Sequence, residues 1–442
     1  MKNIILLAGL AALTAEAVPT VSEVSMSLNG AGNVATVSYR LSDGPAIVTV
    51  DIQTNGVPLA ADDFGSVKGD WNGRMTDGLH QMTWKPAKKF QELGIKALNA
   101  KAVVTAWSPV KGPDYLVCDL TGAEPPRYYA DAVHLPGGVG DSAYKTSKLL
   151  LKFIPAANVD WYMGTPSNEC GIIGWNLGSN TQKVGNYCGE SFRRVTLTQS
   201  YYLGVYEVTQ RQYELVTGNR PSSFSKDAYY ATRPVEKIAY SDLRGNTWPG
   251  GGRADCGSAA ISLFRSRTGL ALDLPTEAQW EFACRAGVTL PFNNGTWATS
   301  NEGGGTGTEV SVLQVKGLER IARYGGNSGV QQNGNTVTPA ADCSTDQGTA
   351  AVGSYEPNAF GLYDMHGNVF EWCLDCAGAW LGNEPAVDPV GCTYAQSYAS
   401  CTHVMRGGSF RHGGRFCRSG ARRFQASGGQ DAFGFRLCLT LE

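Results

Sequence analysis

Gly361–Trp372 reads GLYDMHGNVFEW. Two carboxylates, Asp364 and Glu371, bracket a tight Gly367-Asn368 turn that can aim main-chain carbonyls at one point, and hard oxygens gathered in this way suit calcium. Carboxylates at a glycine turn can instead serve only as acceptors for backbone N–H groups. His366 borders no second soft ligand and reads as a polar turn residue.

Working outward, GVYEVTQ (204–210), RPV (233–235) and LPTEAQWEFACRAG (274–287) precede the turn, while MRGGS (405–409) and GFRL (434–437) follow it. Thr209 can cap a helix running to about Val216, with Gly218 to end it. Ser258 to Thr268 is a second helical stretch, stopped by Gly269. Thr276 and Gln279 stand at capping-box spacing and open the clearest helix, which stops at Gly287 and places Trp280, Ala283 and Cys284 on one inward face. Asn301 to Thr349, rich in Gly, Asn and Thr, reads as a long ordered loop. Few helices among many glycine loops predict a mixed α+β, loop-rich domain over residues 150–442.

Upstream the texture changes. Val34–Leu41, Ile47–Ile52 and Ala102–Trp107 are β-branched or alternating, punctuated by Gly, Asn, Asp and Pro, which predicts an all-β immunoglobulin-like sandwich over residues 18–121. Residues 122–149 read as a linker, Gly122 to Pro126, and entry strands. His80 lacks a second His or Cys at metal-ligand spacing. In residues 1–17, Lys2, the apolar run Ile4–Leu13 and Ala15-Glu16-Ala17 have the order of a cleavable signal peptide, which predicts a secreted or periplasmic protein. No later stretch is long enough to span a bilayer. A net charge of −2 gives no electrostatic case for nucleic acid or an anionic membrane.

All 12 cysteines lie beyond residue 17, and an even number in an oxidising compartment predicts several disulfides. Only Cys118 precedes residue 150, so the staples should concentrate in the C-terminal part. Cys373 and Cys376 form a Cys-x-x-Cys pair, which suits a redox couple, half a zinc site, or structural disulfides to Cys392 and Cys401.

Together, and in this order, the quoted strings resemble the sulfatase-modifying-factor family, whose founding activity is the formylglycine-generating enzyme. The resemblance covers roughly residues 150 to 442 and implies a C-type-lectin-like fold. It implies a structural calcium held at Asp364, Gly367, Val369 and Glu371. It also implies oxidation of a cysteine in a secreted protein or peptide, a sulfatase above all, to formylglycine. That enzyme binds copper through two cysteines five residues apart, after its Arg-Gly-Gly-Ser string. Here those positions read His412 and Cys417, with Ser409 retained. A mixed imidazole and thiol pair changes charge and geometry for Cu(I). If the chain oxidises cysteine, Cys417 is the surviving thiol, His412 a replacement ligand and Ser409 a positioning group. Otherwise Cys417 is a structural cysteine, bonded to Cys438, and His412 a loop residue.

Two other functions compete with oxidation. Phe410, Arg411, His412, Arg415, Phe416, Arg422, Arg423, Phe424 and Gln425 crowd one short stretch, and aromatics with arginines dominate binding hot spots. The stretch resembles the variable segment of diversified target-binding proteins on this fold, which implies a non-catalytic recognition module. Their alternative role is a mixture of core aromatics and solvated arginines. Related proteins use the domain in iron-dependent sulfur chemistry. That chemistry wants two histidines and a carboxylate, and His80, His134, His366, His403 and His412 show no close pairing.

Overall fold

The computed structural model describes residues 18–91, 94–96, 98–165, 190, 192–225, 228–245, 259–296, 316–328, 348–376, 384–390, 402–425 and 428–441. The signal-peptide expectation for residues 1–17 and most of the loop expected over 301–349 lie outside these residues. The chain divides into two units, the first ending at Ser108 and the second resuming at Pro109.

The first unit is built from antiparallel β-sheets. β1 (Thr20–Leu28), β2 (Ala35–Ser42), β5 (Ser66–Gly69) and β7 (Gly78–Lys85) form a sheet in the order β1-β2-β7-β5. In another, β3 (Ala46–Thr54) pairs with β4 (Val57–Pro58), β6 (Gly73–Met75) and β8 (Ala100–Trp107). Every second residue of β2 is buried, because only one face of that strand meets the core of Val37, Tyr39, Val48, Val50 and Trp84.

The second unit begins earlier than the sequence suggests. β9 (Tyr115–Asp119), expected at the end of the sandwich, pairs with β11 (Lys148–Ile154) and β10 (Arg127–Tyr129). These strands join β14 (Tyr201–Gly204) and β22 (Cys438–Thr440) in the sheet β10-β9-β11-β14-β22. The segment read as a linker is an ordered turn: Asp119 accepts the backbone N–H groups of Thr121, Ala123 and Glu124. Glycine and proline mark tight turns as readily as domain boundaries.

A shorter sheet runs β12 (Val159–Met163), β13 (Arg193–Leu197) and β18 (Ala386–Val387). The glycine turn sits where β15 (Ala322–Arg323) meets β16 (His366–Gly367) in parallel. The site-bearing sheet is β20-β19-β17-β21, from β17 (Phe370–Cys376), β19 (His403–Arg406), β20 (Arg423–Gln425) and β21 (Phe433–Gly434).

Helices α1 (Gln210–Thr217), α2 (Tyr240–Arg244), α3 (Ala260–Thr268) and α4 (Glu277–Arg285) complete the unit. The capping chemistry is as read: Thr209 with Gln212, and Thr276 with Gln279, form reciprocal capping boxes. Trp280, Ala283 and Cys284 enter the core beside Ile154, Leu203, Met365 and Val404. Among the described residues no helix is long and apolar enough to cross a membrane.

The cysteines correct one expectation. Cys118, Cys284, Cys373, Cys417 and Cys438 are buried thiols, and Cys376 is disulfide-bonded. Cys373 and Cys376 are therefore not a mutual couple. The Cys417–Cys438 bond does not form: Cys438 reaches Gln279 Oε1 at 3.7 Å, while Cys417 packs with Phe292, Leu318, Ile321 and Tyr324. Buried apolar surroundings keep a thiol reduced and unreactive without any bridge.

Candidate functional site

The floor of the site is a buried charge network carried by α4. Glu277 and Glu281 lie one turn apart and face β19, where Arg406 donates to both, Nε to Glu277 Oε1 at 2.6 Å and Nη2 to Glu281 Oε2 at 2.5 Å. Arg422 adds a second grip on Glu277, and Arg285 holds Glu281 from the next turn. Burial alone would raise both carboxyls, but the arginines hold them below the usual glutamate range. The arginine of the MRGGS string is thus a structural strut.

Above this floor stands the GLYDMHGNVFEW turn. Gly367 has φ +91° and lies so close to Arg323 that a Cβ there would collide with the Arg323 carbonyl, so the turn requires glycine. Glu207 accepts from Asn368 Nδ2 at 2.6 Å and from Val369 N at 3.1 Å. Glu371 is fully engaged: Arg436 donates to both its oxygens, and Trp280 Nε1 donates to Oε2 at 2.7 Å. Asp364 accepts Gly353 N through Oδ2, while its buried Oδ1 has no hydrogen-bond partner. Of the expected calcium set, Asp364 therefore fits a cation, because an orphaned carboxylate oxygen is costly to bury. Glu371 does not fit, since Arg436 occupies both oxygens. Among the described residues no group of three or more His, Cys, Asp and Glu side chains is arranged to hold a metal ion.

His366, read as a polar turn residue, lies at the turn and faces inward. It is fully buried; its Nδ1 donates to the Cys417 carbonyl at 2.7 Å and its Nε2 accepts Asn293 N at 3.2 Å. Cys284 Sγ lies 3.8 Å from the same Nε2.

Ser409, His412 and Cys417 sit in the loop between β19 and β20. Arg423 Nη1 lies 2.8 Å from His412 Nε2, and Ser409 Oγ lies 2.6 Å from Nδ1. A guanidinium only donates, so Nε2 is the acceptor and Nδ1 carries the proton that goes to Ser409. Burial and the charges of Arg423, Arg411 and Arg415 push the imidazole down to about 3. The ring is also flanked edge-on by Phe370 at 4.9 Å and Phe416 at 5.3 Å.

Cys417 is wholly buried, and burial pushes its thiol up to about 12. Its sulfur packs on Gly408, where an added Cβ would stand 2.5 Å from Sγ. A copper ligand pair needs an available imidazole lone pair and a thiolate. Neither is offered here, so these residues do not fit copper as they stand.

A loop-rich α+β domain, with a glycine turn locked by Arg436 and an arginine-bridged helix beneath it, defines a sulfatase-modifying-factor type of scaffold. Residues 175–441 match the sulfatase-modifying factor enzyme 1-like domain, and the chain belongs to that family. It is 29% identical over 207 residues to chaperone protein LppX of Paenibacillus barcinonensis, across 42% of this chain and 65% of that one. It is 35% identical over 141 residues to the formylglycine-generating enzyme of Thermomonospora curvata, across 31% of this chain and 38% of the enzyme. The chain thus spans less than two thirds of the length of either relative. Among solved structures, Treponema denticola variable protein 1 aligns at 23% identity with a TM-score of 0.45, covering 66% of this chain and 95% of that one.

Proposed function

We propose that this domain is a recognition module, in which the position of the copper-binding thiol pair has become part of a binding face. The observation that carries the reading is the closed Ser409–His412–Arg423 chain, which consumes both imidazole nitrogens. Cysteine oxidation to formylglycine, the activity named for the Thermomonospora relative, is the competing reading. It would require Arg423 to withdraw and a thiol held near 12 to ionise. The relative named as a chaperone supports protein recognition as the task. Within the same proposal, the chain is exported by its N-terminal segment, its immunoglobulin-like first unit is a non-catalytic companion, and its disulfides are structural. Calcium, where bound, would be held by Asp364 with the Gly367 and Val369 carbonyls, neutralising a turn in which Glu207, Asp364 and Glu371 act on one Arg436.

The test is direct. The purified chain is incubated with Cu(I), oxygen and a Cys-x-Pro-x-Arg peptide beside an active formylglycine-generating enzyme. The recognition reading expects no aldehyde by mass spectrometry, and aldehyde formation lost in Cys417→Ser would overturn it.

A further inference from the structure

We propose that Arg423 anchors a carboxylate-binding site, and that its ligand is a glutamate or aspartate side chain in an acidic peptide segment. This rests on the recognition reading and names the ligand chemistry of that face.

Arg423 differs from five other arginines of this region. Arg406, Arg411, Arg418, Arg422 and Arg436 each pair with a carboxylate. Among the described residues no carboxylate lies within ion-pair distance of Arg423. Its guanidinium is nonetheless fixed, lying over Phe370 at 5.2 Å and Phe433 at 5.5 Å while donating to His412. A guanidinium held half out of water without a counter-charge is poised to take an anion supplied from solvent. The side chain is partly exposed, which leaves its remaining N–H donors open to a ligand.

The geometry also selects the anion. Arg411 is already matched by Asp431, whereas Arg423 lies beside His412, Phe370 and Phe433 with no carboxylate of its own among the described residues. One planar, forked donor suits one planar, singly charged acceptor, a carboxylate, better than a dianionic phosphate. The partly exposed Phe416, edge-on to His412 and stacked under Arg415, offers apolar contact that a peptide can use and a free small acid cannot. Ser409 and His412 are positioning residues for this cation. The same charge would repel the arginine of a sulfatase-type peptide.

Fluorescence polarisation on the full chain tests this with a fluorescein-labelled peptide of alternating Glu and Tyr and its Gln-for-Glu counterpart. The Glu peptide should bind roughly tenfold or more tightly than the Gln peptide, with the difference shrinking as salt rises. Arg423→Gln should abolish that ratio, and Arg423→Lys should keep only part of it. Equal affinities for the two peptides, or an unchanged ratio in Arg423→Gln, would overturn the site. An oligouronate that binds where the Glu peptide fails would overturn the peptide as ligand. If neither variant folds, the ratio on the unaltered chain decides alone. Aldehyde formation in the copper assay would defeat the recognition reading and leave this ratio unaffected.

Discussion

Arg436 clasps Glu371 at both oxygens, Nε to Oε2 and Nη2 to Oε1, each at 2.6 Å and each wholly buried. The GFRL string is therefore the mate of the last carboxylate in the glycine turn. Removing one partner strands a buried charge, which costs about 3–5 kcal/mol. Glu371→Ala and Arg436→Met should each lower the unfolding free energy by that order in urea titrations, and the double substitution should cost less than the sum of the two. Additive losses would show that the pair is not coupled.

Asp364 carries the calcium expectation, because its buried Oδ1 lacks a partner. Added calcium should raise the melting temperature of the chain, and chelation should reverse the gain. Asp364→Asn should remove the response to calcium, since it replaces a hard anionic oxygen with a neutral one. A melting curve indifferent to calcium would assign the turn wholly to hydrogen bonding.

Acid should destabilise the protein through its buried imidazoles. Burial pushes His412 down to about 3, aided by Arg423, Arg411 and Arg415, and burial lowers His403 to about 4. An unfolded imidazole titrates near 6.5, so below that pH the unfolded chain binds protons that the folded chain refuses, and stability falls as pH falls. Replacing His412 with Gln should flatten the stability curve between pH 6.5 and about 4. An unchanged slope would mean that the ring is already charged in the fold.

The described thiols should be silent in the native protein. Cys118, Cys284, Cys373, Cys417 and Cys438 are all buried, and burial pushes Cys284 and Cys417 up to about 12. A maleimide should label none of these five until the chain is denatured, when all should react, as peptide mapping would show. Native labelling at Cys417 would contradict the packing against Gly408.

Three of the helices were legible because their signals are local: Thr209, Thr276, Gly218 and Gly269 cap and stop them through neighbours a few residues away, whereas α2, with Ala239 at its N-cap, carries no such signal. The glycine turn was legible for the same reason. What joins these pieces was not. Arg436 meets Glu371, and Arg406 meets Glu277 and Glu281, across long stretches of chain, and a single sequence carries no sign of which arginine finds which carboxylate. Arg423 was visible only as one member of an aromatic and basic cluster; its hydrogen bond to His412 depends on the pairing of β19 with β20. The burial of His366 was not legible, because one polar residue in a turn gives no hint that the turn is buried. The sandwich boundary was misplaced because β9 has the same apolar texture whichever sheet it joins.

Copper affinity tests the central claim most directly. In a Cu(I) competition titration against a strong chelator, His412 and Cys417 should hold no copper, because His412 is closed by Ser409 and Arg423 and the Cys417 thiol is buried. His412→Cys, which restores a thiol pair with Cys417, should gain stoichiometric Cu(I) binding. Tight binding by the unaltered chain, lost in Cys417→Ser, would contradict the account.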